Sequence, residues 1–182
     1  MSFRSAILML AVLANFSAID GHIMSFPEDE LTHENRGDKA PKVKCAISAN
    51  NVEWSSRSAE SSVSVHIQFE GAKEISVTAS LQLTALPKGH GLGKDEYWAP
   101  FDAASGRTTK GSQTLRAPDE RYNRSVQLVP TQLFWASTKS SVWPSDDFAK
   151  TVPPGPYSLQ VQLELTGGAT IKSNEITINV VK

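Results

Sequence analysis

From Tyr157 onward the chain alternates without an error for ten residues, with Tyr157, Leu159, Val161, Leu163 and Leu165 at odd positions and Ser158, Gln160, Gln162, Glu164 and Thr166 at even ones. Apolar side chains at every second position belong to an extended strand with one dry and one wet face, a pattern that the longer period of an α-helix cannot use. Pro153-Pro154-Gly155-Pro156 precedes the run as a turn, and Gly167-Gly168 follows it as a hairpin turn. Two more strands read as cleanly. Val63, Val65, Ile67 and Phe69 alternate with Ser62, Ser64, His66 and Gln68; after a turn at Gly71, Ile75, Val77, Ala79, Leu81 and Leu83 alternate with Glu74, Ser76, Thr78, Ser80 and Gln82. Strands with one wet face, separated by short turns, point to antiparallel pairing in a meander or Greek key and away from helical crossovers. The expected fold class is all-β, one antiparallel sandwich of about seven strands with two long loops.

Weaker runs complete the set. Val43, Cys45 and Ile47 alternate with Lys42, Lys44 and Ser48, giving a first strand that is expected to run toward Trp54 before a turn at Ser55 to Ser58. Val126 and Leu128 supply another short strand. In the last strand Ile171 is odd-numbered whereas Ile176, Ile178 and Val180 are even, so one residue must be absorbed near Ser173-Asn174 by a bulge or bend. The long loops fall at 85–112, broken by Pro87, Gly89, Gly91, Gly93, Pro100, Gly106 and Gly111, and at 130–152, with a short helical turn expected after Pro144.

The amino terminus reads as a secretory signal: Arg4 precedes an apolar stretch, Ala6 to Ala14, too short to span a bilayer. Cleavage after Ala18 and cleavage after Gly21 both remain open. The expected organisation is a signal peptide over residues 1–18, with cleavage as late as 21, a polar flexible leader over 19–42, and one sandwich domain over 43–182. No later stretch has the ~20 apolar residues of a membrane span. Eighteen basic residues are scattered among nineteen acidic ones, for a formal net charge of −1, which does not favour a nucleic-acid partner. Cys45 is the single cysteine. No intrachain disulfide can form, the core alone must hold the fold, and Cys45, in register with Val43 and Ile47, reads as buried.

Six or seven strands and a proline-glycine turn directly before a tyrosine-led strand resemble the immunoglobulin and fibronectin type III superfamily. The residues that carry this are Pro154-Gly155-Pro156-Tyr157-Ser158-Leu159-Gln160-Val161, similar to the start of its penultimate strand, and Ser173-Asn174-Glu175-Ile176-Thr177-Ile178-Asn179-Val180, similar to the last strand of many secreted bacterial sandwiches. The resemblance implies an immunoglobulin-like β-sandwich, and a tyrosine-corner role for Tyr157 in which its hydroxyl bonds to upstream backbone. It implies little about function, since this architecture hosts unrelated roles.

Tyr97, Trp98, Phe101, Trp135 and Trp143 fall in the two irregular segments while the strands use aliphatic residues. They form either an aromatic platform for a glycan or peptide, or a satellite core packing the loops onto the sandwich. Asp95, Glu96, Asp102, Asp146 and Asp147 share those loops but lack the spacing of a calcium loop, so no metal is expected there. Gly89-His90-Gly91-Leu92-Gly93-Lys94 lacks the first glycine of a phosphate loop, since position 88 is lysine. Arg36-Gly37-Asp38 reads as a turn in a charged tail, and Asn123-Arg124-Ser125 is a glycosylation sequon that carries meaning in a eukaryotic secretory pathway. The chain offers no nucleophile-elbow serine and no cofactor motif. The leading expectation is a secreted or periplasmic, non-catalytic binding protein without cofactor, contacting an extracellular or periplasmic protein or glycan through its loop aromatics. One alternative is a protease inhibitor that wedges its loops into an active-site cleft. Another is a copper-dependent polysaccharide monooxygenase with His22 as the mature amino terminus and His90 as second ligand, against which stand the acidic leader and the missing disulfides.

Overall fold

The computed structural model describes residues 41–55, 57–88, 96–137 and 146–182. The signal and leader readings for residues 1–40, His22, Arg36-Gly37-Asp38 and the glycine-rich segment at 89–94 with His90 lie outside the described residues. The strands are β1 (Lys42–Ala49), β2 (Glu53–Ser55), β3 (Val63–Glu70), β4 (Glu74–Ala85), β5 (Glu96–Phe101), β6 (Gln113–Arg116), β7 (Arg121–Leu128), β8 (Ala136–Ser137), β9 (Gly155–Leu165), β10 (Thr170–Lys172) and β11 (Ile176–Val181). A 3₁₀ turn at Pro130–Gln132 and one helical turn, α1 (Phe148–Thr151), complete the described elements.

Two sheets face each other, so the protein is an all-β sandwich. The smaller has the order β1-β3-β7, and the larger β2-β11-β9-β4-β5-β8, with β6 beside the first half of β4 and β10 beside the second half of β9. Pairing is antiparallel throughout except for β2, which runs parallel to β11. Seven described strands have six residues or more, β1, β3, β4, β5, β7, β9 and β11, in keeping with a sandwich of about seven, and all but β5 lie where alternation placed a strand. The inward residues predicted by alternation are buried: Val63, Val65, Ile67 and Phe69 from β3, Val77, Ala79, Leu81 and Leu83 from β4, and Leu159, Val161 and Leu163 from β9. Each buried valine, leucine, isoleucine or phenylalanine among them contributes about 1.5–3 kcal/mol relative to exposure, and together they drive the two dry faces onto one another. Cys45 is among them at 0% exposure, and burial pushes its thiol up to about 12. It packs as a small apolar residue and holds no thiolate at neutral pH.

The expected irregularity near Ser173-Asn174 is present. Ile171 stands opposite Leu163 but Ile176 opposite Leu159, so four residue steps along β9 are matched by five on the last strand. The buried Ser173 fills the gap: its N–H donates to the Val161 carbonyl at 2.9 Å, and its Oγ accepts from the Val161 N–H at 2.9 Å. At the start of β9 the Tyr157 hydroxyl donates to the Pro153 carbonyl at 2.7 Å, the backward bond expected of that tyrosine.

Two segments differ from the sequence expectation. The chain does not run straight from β1 to Trp54; it leaves the small sheet after Ala49 and joins the large one at β2. Asparagines make the crossing: Asn51 Oδ1 accepts the Glu53 N–H at 2.9 Å, and Asn50 exchanges bonds with Ser62 and Glu60. The second difference lies in 85–112, expected to be loop throughout. Glu96–Phe101 is strand β5, paired along β4 from Ala79 to Thr84. Its alternation is hidden by Pro100, which lies beyond the two residues, Tyr97 and Trp98, that pair with β8 on the side away from β4.

Candidate functional site

The described loop aromatics divide into core and surface. Phe101 and Trp135 are 0% and 1% exposed, and Tyr97 is buried. Trp135 donates its indole N–H to the Pro130 carbonyl at 2.8 Å and meets Phe148 edge-on at 5.3 Å, while Phe148 reaches Trp54 at 6.1 Å. Phe148 thus stands between Trp54 of β2 and Trp135, and the three rings form one buried row. Tyr97 packs edge-on against Tyr157 at 5.9 Å. These three of the five expected contact residues act as packing groups, because an aromatic side chain gains most where it leaves water on all sides. Trp143 lies outside the described residues.

Trp98 is different. It stands in β5 between the buried Tyr97 and Ala99, so the pleat turns its ring to the outer, wet face of the large sheet, where it is half-buried. Register builds the surroundings in three rows across the sheet. The middle row is Trp98, Gln82 and Gln160; on one side runs Pro100, Ser80, Gln162 and Lys172, on the other Glu96, Thr84, Ser158 and Thr177. Gln82 Nε2 donates to Gln162 Oε1 at 3.1 Å, and Gln160 Nε2 donates to the Ser173 carbonyl at 2.8 Å. Among the described residues the Trp98 indole N–H and the amide oxygens of Gln82 and Gln160 have no hydrogen-bond partner. The centre of the face is uncharged, and its charges stand at the rim.

One rim group is an ordered ion pair. Lys88 Nζ lies 2.6 and 2.7 Å from the two oxygens of Glu175, and Ser158 Oγ donates to Glu175 Oε2 at 3.1 Å. These bonds, the lysine first, hold the Glu175 carboxyl below the usual carboxylate range. The pair fastens the chain following β4 to the bulge before β11, one step along the face from Gln160.

The loop acids have structural work. Asp102 Oδ1 accepts the N–H groups of Ala104 and Ser105 at 2.7 and 3.2 Å in a tight turn. Asp147 caps α1 by accepting the Lys150 N–H at 2.9 Å, and that bond holds its carboxyl below the usual range. Asp146 gives its carbonyl to the Trp135 N–H at 2.9 Å, and Asp95 lies outside the described residues. Among the described residues no three of His, Cys, Asp and Glu are grouped to hold a metal ion, and no helix is long and apolar enough to cross a membrane.

Sequence parity held the signal that singles out Trp98. Tyr97, Ala99 and Phe101 share the odd positions as an inward set, which leaves Trp98 outward. Phe134, 48% exposed between the buried Leu133 and Trp135, follows the same logic on the other connection.

No protein-family profile and no curated protein sequence matches the chain. Among solved structures it is similar to Spo0M, a sporulation control protein from Bacillus subtilis, with a TM-score of 0.32 and 13% sequence identity over 77% of this chain. The chain spans about half of that protein, 49% of its length.

Proposed function

We propose that this chain is an exported, non-catalytic glycan-binding protein of immunoglobulin-like fold, with its contact surface on the outer face of the large sheet around Trp98. The observation that carries the reading is Trp98, the one indole among the described residues that is not fully buried, amid an uncharged field of glutamine, serine and threonine side chains. A sugar ring has the matching chemistry: a C–H face that stacks on a flat aromatic, and hydroxyls at its edge that exchange bonds with amides and an indole N–H. A mainly apolar partner would find too little dry surface here, and a charged one would find its partners only at the rim.

The immunoglobulin-like part of the reading is supported by the strand order. In that fold strands A, B and E share one sheet and C, F and G the other. Here β1, β3 and β7 correspond to the first set and β4, β9 and β11 to the second, with the tyrosine bond of Tyr157 at the start of the F-like strand. Export is supported by the amino-terminal sequence described above.

The test is a glycan array probed with the secreted protein and with Trp98→Ala. Retention of at least one glycan class, weakened roughly tenfold or more in the variant at unchanged far-UV circular dichroism, is the expected result; tenfold corresponds to about 1.4 kcal/mol. Binding that is indifferent to Trp98, or no binding at millimolar oligosaccharide, removes the proposal.

A further inference from the structure

We infer that Asn123 is an N-glycan acceptor, and that its glycan covers the wet face of the three-stranded sheet along the β7 edge. Asn123-Arg124-Ser125 places a hydroxyl two residues beyond an asparagine, the spacing read on the nascent chain before folding. What the fold must then supply is room. In β7 the buried residues are Tyr122, Val126 and Leu128, so Asn123, Ser125 and Gln127 project from the opposite face, and all three are exposed. Their neighbours on β3 are polar: Gln68 opposite Asn123, His66 opposite Ser125 and Ser64 opposite Gln127. A sugar on Asn123 therefore displaces no core side chain.

The use made of other asparagines sharpens the contrast. Asn50, Asn51 and Asn174 each commit their side chains to backbone groups, and removing any of those amides from its bonds would loosen a turn or a sheet contact. The Asn123 side chain has no hydrogen-bond partner among the described residues. Substitution at its Nδ2 breaks no hydrogen bond among the described residues and meets solvent rather than core.

Position adds a reason. β7 is a terminal strand of the small sheet, and terminal strands expose backbone groups that invite pairing with another chain. Arg124 occupies an inward position of the alternation yet is exposed, a charge at the edge that discourages such pairing. A bulky hydrophilic group on the adjacent residue blocks the same approach. It also lies on the opposite side of the sandwich from Trp98, leaving the proposed contact face open.

The modification rests on the export reading, in its eukaryotic form. The bond formed joins Asn123 Nδ2 to the anomeric carbon of a lipid-diphosphate-linked oligosaccharide. The anomeric C–O bond breaks, the lipid diphosphate leaves with the electron pair, and the amide gives up one proton; the secretory route supplies donor and transferase.

Peptide mass spectrometry on the protein from its native source, before and after treatment with a peptide N-glycosidase, tests the inference. The expected result is that the peptide containing Asn123 is found only after treatment and carries aspartate at that position. In a eukaryotic secretory host Ser125→Ala and Asn123→Gln should abolish the glycan, whereas Ser125→Thr should keep it. Exported protein that starts beyond residue 18 with unmodified Asn123 overturns the glycan and leaves export standing. Intracellular protein that retains residues 1–18 overturns both.

Discussion

The Asn174 side chain bonds twice to the backbone of Ile47, accepting its N–H on Oδ1 at 2.8 Å and donating Nδ2 to its carbonyl at 3.1 Å. Asn174 sits in the bulge between β10 and β11, and Ile47 in the terminal strand β1 of the other sheet. The amide thus imitates one residue of a neighbouring strand. It closes part of the β1 edge and ties the two sheets together where hydrophobic contact alone would leave them free to slide.

Asn174→Ala should therefore destabilise the fold by about 1–2 kcal/mol, the value of two exchanged backbone bonds at a partly buried site. Asn174→Asp keeps an acceptor for the Ile47 N–H but sets a carboxylate against its carbonyl, so it should also destabilise. Urea unfolding monitored by tryptophan fluorescence gives both values. A change within a few tenths of a kcal/mol for Ala would mean that the bonds are incidental.

The division of the aromatics has an energetic signature. Trp135→Ala or Phe148→Ala removes one ring from the buried row of three and should cost about 3–5 kcal/mol. Trp98→Ala removes a half-buried ring from the wet face and should cost under about 1 kcal/mol. Equal losses in chemical denaturation would place Trp98 among the packing groups and end its candidacy as a contact residue.

Gly106 has φ +74°, and a Cβ built there would lie 2.5 Å from the Gln127 carbonyl oxygen, 3.0 Å from Val126 Cγ2 and 3.2 Å from Leu128 Cδ2. The turn begun at Asp102 presses on β7 at this point, with the Gly106 N–H donating to the Asp102 carbonyl at 2.7 Å. Both the backbone conformation and the contact oppose a side chain. Gly106→Ala is expected to lower stability by about 1–3 kcal/mol. Gly111→Ala, with open space around it, serves as the control in the same thermal melt.

Glu175 makes stability depend on acid. Its carboxyl is held below its ordinary value by Lys88 and Ser158, so the folded state favours the ionised form. The resulting stabilisation is present above the unfolded carboxylate pKa and fades as pH falls through the folded one. Glu175→Gln should flatten the fall in melting temperature below the ordinary carboxylate range. The effect should stay under about 1 kcal/mol, because the Lys88 and Glu175 side chains are about half exposed, at 51% and 47%. An unchanged acid profile would show that the pair contributes nothing to folding.

Alternation made much of the sandwich legible. The dry residues of β3, β4 and β9 were readable because a strand sorts its side chains by parity alone. The broken parity between Ile171 and Ile176 located the bulge for the same reason. The switch of sheets between Ala49 and Glu53 was not readable, since Asn50, Asn51 and Val52 specify a turn but not which sheet receives the next strand. β5 was obscured because Pro100 and the glycines before it carry the composition of a loop, while its strand pairing depends on β4 lying alongside.

The candidate site was legible only in part. Composition selected five aromatics, and parity would have turned Trp98 outward, but neither could show that Phe148, bridging Trp54 and Trp135, draws Trp135 into the core. Local sequence sets which side of a strand a residue faces, through backbone geometry within a few residues. Which faces become interior, which asparagine clamps which strand, and which glycine must yield space to Gln127 are decided by groups far apart in the chain. Those contacts are collective, and they exist only once both sheets have closed on one core.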